Sequence, residues 1–325
     1  MQIHIILCTD EYYAIPCGIT IFSICYHNKQ HNLSFHILTE GISDSKMKEI
    51  ETMIKQLGQD IHFYKIEESI LKGLPINGRF RKSIYYRLLM TNTLPSNINK
   101  ILYLDCDIIV RGNLEELWEY DISNNALGAV PDQSCDDIRN FNRTGLPPFS
   151  DYYNSGVLLI NLDFWRKNHI GEQCIHYINK NAKYILYPDQ DALNVITHNS
   201  WIKLPFHYNT QAFMFYKPSE MLARTEYVKQ MVKASEHPLI IHYTEARKPW
   251  MIGCKHPFTS EYLKYKKLSP WCDIPLIKKK DTGKIEDVCN FIKKTCVKLK
   301  ITKATPQYSH YRIFPYSSLP EYNKK

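Results

Sequence analysis

The chain has 325 residues and a mass of 38.3 kDa, with 44% hydrophobic, 23% charged and 13% aromatic residues. That composition supports at least one large core and excludes a disordered chain, a collagen and a coiled coil. Of the formal net charge of +8, +7 lies in residues 273–325, where twelve Lys or Arg face five acids, so the first 272 residues are within one charge of neutral. A basic excess suits an anionic partner. Its confinement to the tail argues against a nucleic-acid-binding fold, whose basic stripe with interleaved aromatics would run through the body. The ten cysteines are scattered, with no C-x-x-C pair and no zinc-like spacing. The opening MQIHIILCTD has no basic n-region and too short an apolar run for a signal peptide or a membrane span. The expectation is a cytosolic chain with reduced thiols, in which the sequons at Asn32 and Asn142 are chance matches.

In chain order, residues 2–8 form an apolar run of strand type, 14–27 a longer helix-compatible run and 34–38 a second strand. Residues 43–57 open on Ser and Asp and carry Met47, Ile50, Ile54 and Leu57 at helical spacing. Residues 61–66 alternate as a strand, 83–93 read as a helix, and 100–110 form one β-branched run bracketed by Asn99 and Gly112. Such alternation implies βαβ units and a mostly parallel sheet covered on both faces. Further on, 126–130, 157–162 and 239–243 look like buried strands, and 164–181 and 189–197 like helices. In the tail, Ile285, Val288, Cys289, Ile292, Cys296 and Leu299 fall on one helical face with lysines mostly off it. The Pro-bearing stretch 269–275 is the best boundary.

The sharpest local feature is Tyr103-Leu104-Asp105-Cys106-Asp107-Ile108-Ile109-Val110. Residues two apart on a strand face one side, so Asp105 and Asp107 can present both carboxylates to one hard cation. The C-terminal end of a parallel strand is where open α/β sheets place ligands. An arbitrary D-x-D is more often a pair of solvated turn acids. Here apolar runs flank the pair on both sides, and uncompensated carboxylates are costly to bury in such a stretch.

Six blocks in fixed order give the chain a specific resemblance. They are residues 8–14 (CTDEYYA), 86–88 (YRL), 104–110 (LDCDIIV), 154–161 (NSGVLLIN), 189–194 (DQDALN), and His242-Tyr243 with Lys248-Pro249-Trp250. Over roughly residues 1–270 the chain resembles a family-8 retaining glycosyltransferase of the bacterial lipopolysaccharide or lipooligosaccharide type. The resemblance implies a GT-A fold, a Rossmann-like mixed α/β sheet flanked by helices, and transfer of galactose or glucose from a UDP-sugar to a glycan or lipid-linked acceptor. It covers the transferase domain, 1–270; the basic helical tail, 271–325, is expected from its lysines and apolar face to associate with the anionic inner face of the cell membrane.

The resemblance also assigns roles. Asp10 and Tyr13 line the uridine pocket; on the residues alone, Asp10 is equally a helix N-cap and Tyr13 an ordinary aromatic. Arg87 holds the donor's sugar and diphosphate, a job suited to its fixed fork of donors, where a surface ion pair is the ordinary reading. Asp105, Asp107 and His242 ligate the cation, although a lone His after a buried strand is commonly structural. Two carboxylates, one imidazole and two diphosphate oxygens suit Mn²⁺, with Mg²⁺ as a substitute. Lys248 contacts the diphosphate, Asp189 the sugar hydroxyls, and Gln190 sits at the face of the anomeric carbon. Asn154 is placed to donate to a sugar hydroxyl, and Asp132 is a weaker candidate for the same cleft. Residues 136–148 match poorly and, with the tail, are expected to meet the acceptor.

The chain departs from the family at Glu245, which replaces a glycine whose backbone approaches the diphosphate; a carboxylate there is expected to point away or to pair with Arg247. Two rival readings remain. A sugar-nucleotide pyrophosphorylase needs a Gly-rich loop after the first strand, and residues 9–14 hold no glycine. A binding protein without transferase activity would explain the charged tail but not three candidate metal ligands in a neutral body.

Overall fold

The computed structural model describes residues 1–75, 81–132, 135–147, 150–216 and 223–278. The amphipathic face read at 285–299 lies outside the described residues. Strands β1 (Gln2–Cys8), β2 (Asn32–Thr39) and β3 (Asp60–Lys65) alternate with helices α1 (Ala14–His27) and α2 (Asp44–Gln56). A 3-10 helix, Lys82–Leu89, runs into the short α3 (Met90–Thr93). There follow β4 (Lys100–Leu104), β5 (Ile108–Val110), α4 (Glu115–Glu119), β6 (Leu127–Pro131), α5 (Ile138–Thr144) and β7 (Tyr153–Asn161). Helices α6 (Leu162–Lys167), α7 (Ile170–Lys180) and α8 (Pro188–Ile196) precede β8 (Trp201–Lys203), β9 (Thr210–Gln211), α9 (Thr225–Glu236), β10 (Ile240–His242) and α10 (Thr259–Leu268).

A seven-stranded sheet in the order β3-β2-β1-β4-β7-β6-β8 forms the centre, and a three-stranded sheet, β5-β10-β9, lies beside it. The large sheet is mixed. β1, β2, β3 and β4 run parallel, and β7 pairs antiparallel with both β4 and β6. The pleat sends successive side chains to opposite faces, so Ile3, Ile5 and Leu7 join one core and Ile6 and Cys8 the other. From β1 the chain builds outward through β2 and β3, then returns to β4 on the other side. That reversal opens a crevice at the C-terminal ends of β1 and β4, the usual ligand position in open α/β sheets.

Three predicted elements differ from what folds. The run 100–110 is two strands in two sheets: β4 stays in the large sheet, β5 pairs with β10, and Asp105-Cys106-Asp107 is the break between them. The stretch 83–93 is mostly 3-10, with residues Tyr85 to Leu89 all buried. The stretch 164–181 is two helices. Asn168 bonds back to the Phe164 carbonyl through its side-chain amide at 2.9 Å, and His169 turns the chain with φ of 50°.

Helix α1 is buried nearly all round and anchors the break between β4 and β5. Thr20 Oγ1 donates to the carbonyls of Ile108 at 2.8 Å and Cys106 at 3.1 Å, and Ser23 Oγ accepts from the Val110 N–H at 3.1 Å. The chain stays packed past residue 270. The Trp271 ring lies on Gly18 of α1, where a Cβ would sit 2.1 Å from it, and Ile277 exchanges backbone bonds with Trp250 and Ile252. Among the described residues, no helix is long and apolar enough to cross a membrane.

Candidate functional site

A cavity of about 520 Å³ opens at the C-terminal ends of β1 and β4, within the range of small-molecule sites. Its walls include Tyr13, Arg87, Asp105, Asp107, Gln190 and Lys248, and further residues named below. Asp105 directly follows β4, where its N–H donates to the Gly156 carbonyl at 2.9 Å. Asp107 directly precedes β5. The antiparallel register pairs Ile108 with His242, so the end of β10 lies beside both carboxylates. His242 Nε2 is 3.2 Å from Asp107 Oδ1 and 3.6 Å from Asp105 Oδ2. Ligand atoms of the three lie within 4.8 Å of one another, the one such cluster of three or more His, Cys, Asp or Glu among the described residues.

This donor set fits a divalent cation. Two carboxylates and an imidazole suit a borderline-hard ion, and the imidazole nitrogen turned toward the carboxylates belongs to a ring braced at its other nitrogen. Gly156 makes room for the cluster: a Cβ there would lie 2.2 Å from His242 Cε1 and 2.8 Å from Asp105 Oδ2. The carboxylates converge because the chain changes sheets between them, and the pleat of one continuous strand has no part in it.

Cations of the chain brace the pair. Arg87 is buried; its Nη2 donates to Asp105 Oδ1 at 2.8 Å, while its Nη1 lies 3.1 Å from Asp189 Oδ2 and donates to the Ser155 carbonyl at 2.7 Å. The Tyr103 ring lies under its guanidinium, 4.2 Å away, and the Tyr103 hydroxyl donates to Asp105 Oδ1 at 2.6 Å. Lys248 Nζ donates to Asp107 Oδ2 and to the Tyr243 carbonyl, each at 2.6 Å. Burial works against the charge of Asp107, but Lys248 and His242 outweigh it and hold the carboxyl well below the usual range. At Asp189 burial dominates and pushes the carboxyl up, against the pull of Arg87.

The opposite wall comes from the N-terminus of α8 and the start of β7. Pro188 occupies the first turn of α8, which suits a residue without an N–H, and Asp189 and Gln190 follow it into the cavity. Asp189 Oδ2 accepts from Ser155 Oγ at 3.0 Å. Gln190 Oε1 accepts from the Ser155 N–H at 3.0 Å and from Asn154 Nδ2 at 3.2 Å, and its Nε2 donates to Asp132 Oδ2 at 3.3 Å. Asp191 points away into a structural knot with Tyr152, Arg143 and the N–H groups of Leu186 and Tyr187.

The structure thus gathers Tyr13, Arg87, Asp105, Asp107, Asp132, Asn154, Asp189, Gln190, His242 and Lys248 on one cavity. Asp10 is not among its lining residues. Its Oδ1 accepts from the N–H groups of Tyr12 and Tyr13 at 2.9 and 3.0 Å, closing a turn ahead of α1, whose N-cap is Tyr13, and its Oδ2 is 3.5 Å from Arg81. Glu245 does line the cavity, with its carboxylate accepting from the Tyr216 hydroxyl, while Arg247 Nη1 donates to the Gly253 carbonyl at 3.3 Å. The Glu245 carboxylate is thus bonded to Tyr216, which is not among the lining residues. Sequence reasoning assigned no role to Ser155, Tyr103 or Asn209. Tyr103 shares a strand face with Asp105 two residues on; Asn209 carries no comparable local signal.

Known proteins share this arrangement of chain. The sequence pattern defining "Glycosyl transferase family 8" matches residues 4–252. The chain is 29% identical over 276 residues to General stress protein A of Bacillus subtilis (strain 168), covering 82% of this chain and 94% of that one. It is 30% identical over 271 residues to a lipopolysaccharide 1,2-glucosyltransferase of Escherichia coli, covering 82% and 78%. The fold superposes with a TM-score of 0.76 on galactosyltransferase LgtC in complex with donor and acceptor sugar analogs, at 24% identity, over 82% of this chain and 96% of that one. A mixed sheet reversing at β1 and β4, and a family pattern spanning both sheets, lead to one conclusion: the chain has the GT-A fold and is a glycosyltransferase belonging to glycosyl transferase family 8.

Proposed function

We propose that the protein transfers a hexose, galactose or glucose, from a UDP-sugar to a sugar hydroxyl of a lipopolysaccharide-type or other glycan acceptor, with retention at the anomeric carbon and with Mn²⁺, or Mg²⁺ in its place. The observation that carries this reading is the convergence of Asp105, Asp107 and His242 on the same cavity as Asp189 and Gln190. When bound at the three ligands, the cation supplies Lewis-acid assistance to the departing diphosphate.

The chain's own groups do the rest. Tyr13 offers a ring for the uracil, and Asp10 retains Oδ2 for the base N–H once Arg81 yields it. Lys248 turns part of its charge from Asp107 to the diphosphate, giving electrostatic stabilisation where negative charge accumulates. Arg87 holds Asp105 and Asp189 at fixed separation and aids the same charge. Asp189 and Asn154 meet the sugar hydroxyls. Gln190 is a weak nucleophile as an amide, and its oxygen already accepts two N–H groups. Attack by the acceptor oxygen on the face the UDP leaves, with Gln190 Oε1 stabilising the oxocarbenium-like carbon and a donor phosphate taking the proton, is therefore favoured over a covalent adduct. The near-neutral body is the transferase domain, 1–270, and of the tail, 271–325, the basic part beyond the packed residues 271–278 associates with an anionic membrane surface near a lipid-linked acceptor, on the cytoplasmic face.

The test is a panel of UDP-sugars with Mn²⁺, followed by proton NMR of the purified protein's reaction. One UDP-hexose is expected to be consumed, and the first-formed sugar is expected to keep the α configuration of the donor. Binding without turnover of any donor would favour a sugar-nucleotide-binding role, and a β-configured first product would remove the retaining mechanism.

A further inference from the structure

Asn209 is fully buried between the 3-10 turn Phe206–Tyr208 and β9, and it belongs to a hydrogen-bonded chain that has a single direction. The chain starts at Asp132, whose carboxylate can only accept. Asn154 must therefore turn Nδ2 toward it, at 3.1 Å from Asp132 Oδ2. That orientation leaves Asn154 Oδ1 for the Gly156 N–H at 3.0 Å and for Asn209 Nδ2 at 2.9 Å. With its amide nitrogen committed to Asn154, Asn209 presents Oδ1 to His242 Nδ1 at 2.9 Å. An amide oxygen only accepts, so Nδ1 of His242 carries the hydrogen. Of the two neutral tautomers this selects the one whose lone pair is on Nε2, the atom beside Asp105 and Asp107. Reversing either amide sets two acceptors or two donors against each other in a buried site and leaves hydrogen bonds unmade there.

We infer that Asn209 is a positioning residue: through Asp132 and Asn154 it fixes His242 in the one tautomer and ring orientation that offers Nε2 to a cation. The same Asp132 oxygen also takes the amide hydrogen of Gln190, so one carboxylate orients both the metal-side imidazole and the amide at the sugar side. Partners of this kind hold metal-ligating histidines generally, and their loss lowers metal affinity about 10–100-fold.

The inference rests on the cation site proposed above, and two measurements on the full-length protein keep the two separable. In the first, Mn²⁺ alone is titrated and the free ion counted by electron paramagnetic resonance, for wild type and Asn209→Leu, with thermal unfolding checking the fold of each. Asn209→Leu is expected to bind Mn²⁺ about 10–100-fold more weakly. Equal affinity of a folded Asn209→Leu would overturn the role of Asn209, whereas no Mn²⁺ binding by wild type would overturn the cation site. The second measurement reads wild type without metal and does not depend on the fold of Asn209→Leu. ¹⁵N NMR of the wild-type histidines, with His242 assigned by its loss in His242→Gln, is expected to show His242 protonated at Nδ1. A bare Nδ1 would overturn the inference whatever the titration gives.

Discussion

Gly156 shows how tightly the cluster of Asp105, Asp107 and His242 is built. Its missing side chain is the space that His242 and Asp105 occupy. Gly156→Ala is expected to displace one or the other, costing about 1–3 kcal/mol of stability and lowering Mn²⁺ affinity as well as transfer. A variant that bound Mn²⁺ as tightly as wild type would show that the cluster tolerates the intrusion. The sequence block around Gly156 could be matched to a family, but a glycine in a strand reads equally as a bulge or a close approach. What it approaches depends on β10, about 85 residues on. Likewise Asp105, Asp107 and His242 were legible as candidate ligands, while the bonds of Arg87 to both Asp105 and Asp189 were not. On its neighbours in sequence Arg87 suggested no more than a surface ion pair, and the resemblance alone gave it a donor-binding role, because its partners come from the end of β4 and from α8.

At the scale of elements, the strands of the first half could be read from alternation because β1 to β3 are regular and consecutive. The short strands β8 and β9 were not, since two or three residues show no period. Their place depends on pairing with β6 and β10. The same three regular strands carry a ladder of histidines. His4 Nδ1 is 3.2 Å from His36 Nε2, the His62 ring stacks on His36 at 5.4 Å, and the Tyr64 hydroxyl meets His36 Nδ1 at 3.1 Å. Burial first, and His4 and His62 second, lower His36 from 6.5 to about 3. The folded ladder therefore binds fewer protons than the unfolded chain between those values. Its stability is complete above pH 6.5 and is lost as pH falls from 6.5 toward 3. Wild type is expected to lose about 2 kcal/mol through His36 between pH 7 and pH 5. Urea unfolding at both pH values checks this: His36→Gln should lose less than wild type over the interval, and an identical loss would remove the ladder as a source of pH sensitivity.

For the whole molecule, the charge that stood out in composition separates into a near-neutral folded body and a basic tail. Trp271 is buried in the body and the Ile277 backbone bonds to Trp250 and Ile252, so a chain ending at Lys278 retains the core. If the tail is the membrane-associating segment, each lysine near an anionic surface contributes about 1 kcal/mol. Full-length protein is then expected to sediment with phosphatidylserine-containing vesicles at low salt, and the shortened chain to stay in solution while keeping transfer to a soluble acceptor. Equal sedimentation of both would assign the tail to packing on the body.

The central claim is that a cation held by Asp105, Asp107 and His242 makes cleavage of a UDP-hexose possible in this cavity. The most direct measurement is UDP release from that donor by metal-stripped wild type and Asp107→Asn, each with and without added Mn²⁺. Release is expected to disappear on stripping, to return with Mn²⁺ in wild type, and to fall by on the order of 100-fold in Asp107→Asn. Full release by the stripped protein, or by Asp107→Asn, would contradict it.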